Sequence, residues 1–173
     1  RHARPDPGRR AAEAVVMEFP MHRILKGSGQ LYWAASMAKA EQAALDEKAD
    51  ALLWLNDDVS LLPDALARLI AELEVAAEPT ILVGATKSPT THRTTYSGIR
   101  RAGPSPTQLR VVEPQDRLQR VDTFHGNVVL VPSSVALALG GIDANFGHAY
   151  GDIDYGLRAG RLRVATCLMP GYI

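Results

Sequence analysis

The chain has 173 residues, and its 19 lysine and arginine side chains balance 19 aspartate and glutamate side chains. This length supports one domain with a sizeable core, and the balanced charge excludes the basic excess of nucleic-acid-binding domains. The single cysteine excludes an internal disulfide, and no apolar run reaches the roughly 20 residues that span a bilayer, so we expect a soluble cytoplasmic protein.

The first quarter of the chain predicts a basic lead-in followed by a strand and a helix. Residues 1–12 hold four arginines and two prolines, and we expect a solvated, flexible segment. Contact with the inner face of an anionic membrane is the alternative. An apolar run over residues 14–19 ends at Pro20 and predicts a strand. Residues 30–48 are rich in strong helix formers at helical spacing and predict a long helix.

The next segment is the most informative, because an apolar run breaks directly into Asn56-Asp57-Asp58. Residues 51–55 predict a buried strand of an α/β sheet, and such sheets bind ligands beyond the carboxyl ends of their strands. Adjacent carboxylates repel each other unless a cation or a proton lies between them. Asp58 and its neighbours are therefore a candidate site for a hard metal. The alternative is a turn that leads into a helix from Pro63 to about residue 77.

The second half predicts further alternation of strands and helices around a loop-rich region. Prolines and glycines punctuate residues 86–119, where only short antiparallel strands are expected. The predicted elements are strands at 80–85, 94–99, 109–112 and 126–131, helices at 135–139 and 152–160, and a strand at 162–166. This order indicates an α/β domain with a mixed sheet flanked by helices.

A second polar constellation surrounds the start of the helix at 152–160. Asp154 and Arg158 are four residues apart and can pair on one face of that helix. Asp152 has no such partner in the sequence, and beside His148 and Tyr150 it is a candidate general base. A helix-capping aspartate is the alternative.

Four segments over residues 25–170 resemble, in order and spacing, the family 2 glycosyltransferases with the GT-A fold. Trp54-Leu55-Asn56-Asp57-Asp58-Val59 is similar to the family's metal-binding segment with its Asp-x-Asp motif. Gly29-Gln30-Leu31-Tyr32-Trp33-Ala34 resembles the rhamnosyltransferase-like branch. Residues 124–132 resemble the strand on the acceptor side, and residues 140–158 resemble the catalytic segment.

The resemblance implies an enzyme of polysaccharide or cell-wall biosynthesis, with a deoxyhexose such as rhamnose as the sugar. It would transfer the sugar, with inversion, from a nucleotide-diphosphate donor to a hydroxyl of a glycan or lipid-linked saccharide. By this resemblance Asp58 binds Mg²⁺ or Mn²⁺, Asn56 orients the nucleotide, and Asp57 assists the metal or contacts the nucleotide. Asp152 matches the family's catalytic base, with Gly151 where glutamate is common.

The remaining site residues divide between donor and acceptor. Trp33 is expected to form a wall of the donor pocket, whereas Trp54 is expected in the core. Phe124 is expected either in the core or on a sugar-stacking surface. The candidate acceptor-binding residues are His125, Gly126, Asn127, His148 and Tyr150, and a satisfied core histidine is the alternative for His148.

One departure from the family concerns the start of the chain. Family members begin with a strand–helix–strand unit that holds the nucleotide base, and residues 1–24 do not resemble it. Either the chain is a fragment or its nucleotide subsite is built differently. For a GT-A-like sheet whose N-terminal part is truncated, we expect weak donor binding and one unpaired edge. Two further functions stay open. One is a non-catalytic nucleotide- or carbohydrate-binding module, and the other is a metal-dependent phosphohydrolase, for which Asn56 is a poor nucleophile.

Overall fold

The structure is a computed structural model that describes residues 17–18, 21–105, 108–147 and 149–173. Contacts divide the chain into two units, residues 1–31 and residues 32–173. In the first unit the predicted lead-in at residues 1–12 lies outside the described residues, as does most of the strand predicted at 14–19. Met17 and Glu18 are helical, so the strand prediction is wrong at these two positions.

The second unit contains helices close to those that the sequence predicts. They are α1 (Trp33–Asp46), α2 (Ala65–Val75), α3 (Ser133–Leu139) and α4 (Gly151–Arg161). α1 begins at Trp33 rather than at residue 30, and it ends at Asp46 because Lys48 adopts the left-handed conformation, with a φ of 59°. Gly140 ends α3 in the same conformation, as its position predicts. Over the described part of the chain, no helix combines the length and apolarity needed to cross a bilayer.

The strands of the second unit form two sheets. In chain order they are β1 (Ala51–Leu55), β2 (Thr80–Lys87), β3 (Thr94–Tyr96), β4 (Gly98–Arg101), β5 (Leu109–Val111), β6 (Gln119–Arg120), β7 (Thr123–Phe124), β8 (Val128–Pro132) and β9 (Ala165–Tyr172). The larger sheet has the order β1-β8-β2-β9-β6, with β3 paired to β2. The smaller sheet has the order β5-β4-β7.

The larger sheet is mixed, as predicted. β8 runs antiparallel to both β1 and β2, whereas β2 and β9 are parallel. β1, β2 and β9 therefore run in the same direction, and their carboxyl ends lie at the same end of the sheet. Among the described strands, β1 pairs with β8 alone and forms an edge of this sheet.

Two strand predictions need correction. The strand predicted at 94–99 is divided at Ser97 into β3 and β4, which belong to different sheets. The strand predicted at 162–166 begins only at Ala165 and continues to Tyr172. Its first residues instead close α4, because Arg163 is left-handed and the Val164 N–H donates to the Ala159 carbonyl.

The hydrophobic core covers both faces of the larger sheet. Alternate residues of β2 belong to opposite faces, so that Ile81 packs in one cluster and Leu82 in the other. Trp54 is 3% exposed, which confirms its predicted core position. Its ring makes edge-on contacts with Tyr155 at 4.7 Å and Phe124 at 5.9 Å between ring centroids. Phe124 is fully buried, so the core alternative is confirmed for it.

The predicted pair of Asp154 and Arg158 is confirmed and extends beyond α4. The Arg158 Nε donates to Asp154 at 2.6 Å. The same guanidinium donates to the Leu139 carbonyl at 2.8 Å and to the Gly141 carbonyl at 2.9 Å. Arg158 thus satisfies carbonyls at the end of α3 and fixes α4 against it.

Candidate functional site

Segments that are distant in the sequence meet in one cleft of about 520 Å³ beside the carboxyl end of β1. Predicted site residues that line it are Trp33, Asn56, His125, Gly126, Asn127, Tyr150 and Asp152. They come from the start of α1, the end of β1, the segment between β7 and β8, and the start of α4. The structure therefore brings together residues that the sequence predicted separately as donor-binding and acceptor-binding.

Asn56 and Trp33 are joined by a side-chain hydrogen bond. The Trp33 Nε1 donates to the Asn56 Oδ1 at 3.0 Å, and the Asn56 backbone N–H donates to the Asn127 carbonyl at 3.1 Å. The indole also packs edge-on against Trp54, with 6.1 Å between ring centroids. One lone pair of the Asn56 Oδ1 is used by Trp33, so Asn56 can offer a ligand its Nδ2 donor and one further acceptor site.

Gly126 stands where the cleft leaves no room for a side chain. A Cβ at this position would lie 2.5 Å from the Trp33 ring and 3.2 Å from the Asp152 Cβ. The Gly126 N–H instead donates to the Asp152 Oδ2 at 2.8 Å. Glycine therefore permits the close approach that links α1, α4 and the segment before β8.

Asp152 has partners, contrary to the prediction of an unpaired acid. Its Oδ2 accepts the Gly126 N–H, and its Oδ1 accepts the Ile153 N–H at 2.8 Å. The capping alternative is also imprecise, because Asp152 lies inside α4 and the N-cap is Tyr150, with a φ of 73°. A carboxylate offers about four lone-pair sites, so each oxygen of this half-buried group can still accept a further hydrogen bond.

His125 presents a neutral ring to the cleft. Its Nδ1 accepts the Ser97 N–H at 3.3 Å, and its ring lies edge-on to Tyr96 at 5.6 Å between centroids. Burial lowers the pKa of His125 below its ordinary 6.5, and the opposing effect of the Asp152 charge does not reverse this. Because Nδ1 accepts, Nε2 carries the proton and is the ring's donor.

Asn127 contributes a buried donor without a partner. Its side chain is 5% exposed, and among the described residues no atom accepts a hydrogen bond from its Nδ2. An unsatisfied buried group of this kind costs about 1–3 kcal/mol. A ligand oxygen in the cleft could recover part of that free energy.

Asp57 and Asp58 are both exposed and do not line the cleft. The Val59 N–H donates to the Asn56 carbonyl at 3.4 Å, so the predicted turn is present at this point. No group of three or more His, Cys, Asp or Glu side chains that could hold a metal occurs among the described residues. Mg²⁺ commonly takes one or two protein carboxylates and completes its shell with phosphates and water. Asp57 and Asp58 fit such an ion only together with the phosphates of a ligand.

The last two predicted acceptor residues differ in what the structure shows. Tyr150 lines the cleft, is 65% exposed and adopts the left-handed backbone that leads into α4. His148 lies outside the described residues. Of the residues predicted to bind an acceptor, His125, Gly126, Asn127 and Tyr150 therefore line the cleft.

Sequence reasoning missed one whole wall of the cleft. The smaller sheet and the strand before it provide this wall, through Tyr96, Ile99, Leu109 and Val111. Ile99 and Val111 lie directly opposite each other in the register of β4 and β5. β5 alternates apolar and polar residues and β4 does not, and nothing local to either strand indicates which cleft it faces.

The assembled cleft can hold a polyhydroxylated ligand. It presents one carboxylate acceptor, Asp152, and neutral donors on Asn56, Asn127 and His125, beside an indole ring and an apolar wall. Such a combination of a few polar groups with apolar lining is typical of small-molecule sites. Comparisons of the chain with protein-family models and with curated proteins give no match.

Proposed function

We propose that this protein is an inverting glycosyltransferase with a GT-A-like domain. It would move a sugar from a nucleotide-diphosphate donor to a hydroxyl of a glycan or lipid-linked saccharide. The observation that supports the proposal is the meeting of Trp33, Asn56, Gly126 and Asp152 in one cleft. These residues belong to the separate segments on which the family resemblance rests.

Asp152 is proposed as the general base. A hydroxyl of the acceptor donates to a free lone pair of its carboxylate, and that proton passes to Asp152 as the hydroxyl oxygen bonds to the anomeric carbon. The bond between that carbon and the diphosphate breaks, and its electron pair leaves with the diphosphate. The N–H groups of Gly126 and Ile153 hold the carboxylate in one orientation while this occurs.

The donor is proposed to bind beside the end of β1. Asn56 would orient the nucleotide through its Nδ2 donor, and the hydrogen bond from Trp33 holds the amide in one orientation. Asp58, with Asp57, would hold Mg²⁺ or Mn²⁺ against the diphosphate. A cation bound there neutralises the charge on the leaving group.

One observation favours a second candidate, a saccharide- or nucleotide-binding module without transfer. Both Asp152 oxygens already accept backbone N–H groups, which is also what a purely structural aspartate would do. A metal-dependent phosphohydrolase has no comparable support, because Asn56 stands where that chemistry needs a nucleophilic carboxylate.

The Asp152→Asn variant separates transfer from binding. We expect it to lower the transfer rate by about 10²- to 10⁴-fold, because an amide cannot take the proton. Thermal stabilisation by nucleoside diphosphates with Mn²⁺ should change little. The matched control is Asp116→Asn, which removes the charge of an exposed carboxylate outside the cleft. Near-native transfer by Asp152→Asn would exclude it as the base, and binding without any transfer by the wild-type protein would favour the binding module.

The Asp58→Asn variant tests the metal. We expect stabilisation by nucleoside diphosphates to lose its dependence on Mn²⁺, because the remaining carboxylate of Asp57 binds a hard cation weakly. Asp116→Asn again serves as the control of equal charge change. An unchanged Mn²⁺ dependence in Asp58→Asn would contradict the assignment of this residue.

A further inference from the structure

A second cleft, of about 710 Å³, lies at the opposite end of α4 and shares no lining residue with the first. Its walls come from β4, from the segment that joins β6 to β7, and from the turn that follows α4. Five arginines line it: Arg100, Arg101, Arg120, Arg161 and Arg163. One carboxylate, Asp122, accompanies them, so the formal charge of the lining is +4.

The charges of these arginines are not neutralised within the described structure. Arg68 pairs with Asp64 and Arg158 with Asp154, whereas no ion pair among the described residues involves an arginine of the second cleft. Asp122 accepts the backbone N–H of Arg101 at 2.7 Å. The Arg100 Nε donates to the Arg120 carbonyl at 2.9 Å, which holds this guanidinium at the cleft with its other N–H groups available.

Arg163 occupies a position at which glycine is usual. The turn after α4 closes with the Arg163 N–H on the Gly160 carbonyl at 3.1 Å and the Val164 N–H on the Ala159 carbonyl at 3.0 Å. In this arrangement the residue at position 163 must be left-handed, and its φ is 60°. A side chain makes that conformation unfavourable, so Arg163 lowers the stability of the fold relative to glycine while it places a guanidinium at the cleft.

The floor of the cleft contains a donor without a partner. Thr166, on β9, lines the cleft and is 3% exposed. Among the described residues, its hydroxyl makes no hydrogen bond. A buried hydroxyl usually has a partner, so Thr166 is an unsatisfied polar group directly beside the arginines.

We propose that the second cleft binds a ligand that carries at least two linked phosphate groups. Guanidinium groups match phosphate oxygens through pairs of parallel hydrogen bonds, and they are weakly hydrated cations. A formal charge of +4 complements a diphosphate or triphosphate better than a single phosphate. The ligand is either a free oligophosphate ester or a lipid that carries a diphosphate headgroup.

The test measures binding of inorganic pyrophosphate by calorimetry in the presence of EDTA, which removes any metal-dependent binding at Asp58. We expect Arg161→Gln and Arg163→Gly each to weaken binding about tenfold, as the loss of charged hydrogen bonds implies. Arg93→Gln removes an exposed arginine that does not line the cleft, and it should bind as the wild type does.

Arg163→Gly also carries an internal control for folding. Replacement of a left-handed arginine by glycine should raise Tm by about 3 °C while affinity falls. Because the two effects have opposite signs, a damaged fold cannot account for the lost binding. Absence of pyrophosphate binding, equal affinity for orthophosphate, or an equal loss in Arg93→Gln would overturn the proposal.

Vesicles separate the two sources of the ligand. Phosphatidylcholine vesicles with a prenyl diphosphate should bind the protein if the ligand is a lipid, and plain vesicles should not. Arg161→Gln and Arg163→Gly should weaken that binding as they weaken pyrophosphate binding. If pyrophosphate binds and these vesicles do not, the site takes a free oligophosphate. The proposed transferase can fail without affecting these results, because no residue of the first cleft takes part.

Discussion

The buried carboxyl group of Glu41 makes the stability of this protein depend on pH in a definite direction. Glu41 lies on α1, is 5% exposed and accepts a hydrogen bond from the Tyr155 hydroxyl at 3.2 Å. Its second oxygen has no partner among the described residues. Burial raises the pKa of Glu41 from 4.5 to about 7, although the Tyr155 hydroxyl, the Ile142 backbone and the Arg158 charge all oppose the rise.

The direction of the pH dependence is set by whether Glu41 loses its proton at a lower pH in the folded or in the unfolded state. In the unfolded chain Glu41 ionises near pH 4.5, whereas in the folded protein it stays protonated until about pH 7. The contribution of Glu41 to the free energy of unfolding should therefore be fully present below pH 4.5, be lost as the pH rises to about 7, and then stay constant. The difference between the pKa of 4.5 in the unfolded chain and about 7 in the folded protein corresponds to about 3 kcal/mol, at about 1.36 kcal/mol per pKa unit.

Glu41→Gln replaces the group with a neutral amide of nearly the same shape. We expect the variant to be more stable than the wild type at pH 8, by up to about 3 kcal/mol, and close to it at pH 5. Urea unfolding at several pH values from 5 to 8 measures this difference. Glu74→Gln, which changes an exposed glutamate, should keep the pH dependence of the wild type. A difference between Glu41→Gln and wild type that does not vary with pH would refute the reasoning.

Three glycine substitutions test the packing of the first cleft and of α4. Gly126→Ala should lower stability by about 1–3 kcal/mol and weaken nucleotide binding, because its Cβ would lie 2.5 Å from the Trp33 ring; chemical unfolding and thermal-shift titration measure the two effects. Gly156→Ala should cost at least as much, because its Cβ would lie 2.7 Å from the Thr123 Cα, where backbone must move. Gly160→Ala, on the same helix but with open space around it, should instead gain a few tenths of a kcal/mol, and a loss there would contradict the contact argument.

The sequence predicts the elements that local patterns determine. The strand at Ala51–Leu55 has the bounds that its apolar run predicts, and α4 extends the predicted helix by one residue at each end. The division at Ser97 could not be predicted in this way. It depends on which distant strands pair with β3 and with β4, and those partners are β2 on one side and β5 with β7 on the other.

In the candidate site, local sequence patterns likewise do not predict which side chains of distant segments contact each other. The sequence identified Asp152 and Gly126 but not their hydrogen bond, because no local pattern relates an aspartate to a backbone N–H in another segment. The late start of β9 was missed because an arginine, rather than the glycine that usually marks a helix end, adopts the left-handed conformation at position 163. The five arginines of the second cleft are spread over three segments of a chain with zero net charge. Neither the composition nor a local run of residues therefore predicts that they form one cluster.

α4 connects the two clefts as a single rigid element. Asp152 lies at its first turn and Arg161 at its last residue, about 13.5 Å away along an axis that rises 1.5 Å per residue. Midway between them, Gly156 packs against Thr123, and the Thr123 hydroxyl donates to the Ile153 carbonyl at 2.8 Å. A ligand that tilts α4 about this contact therefore moves both ends of the helix. Thermodynamic linkage then requires each cleft to change the affinity of the other by the same factor.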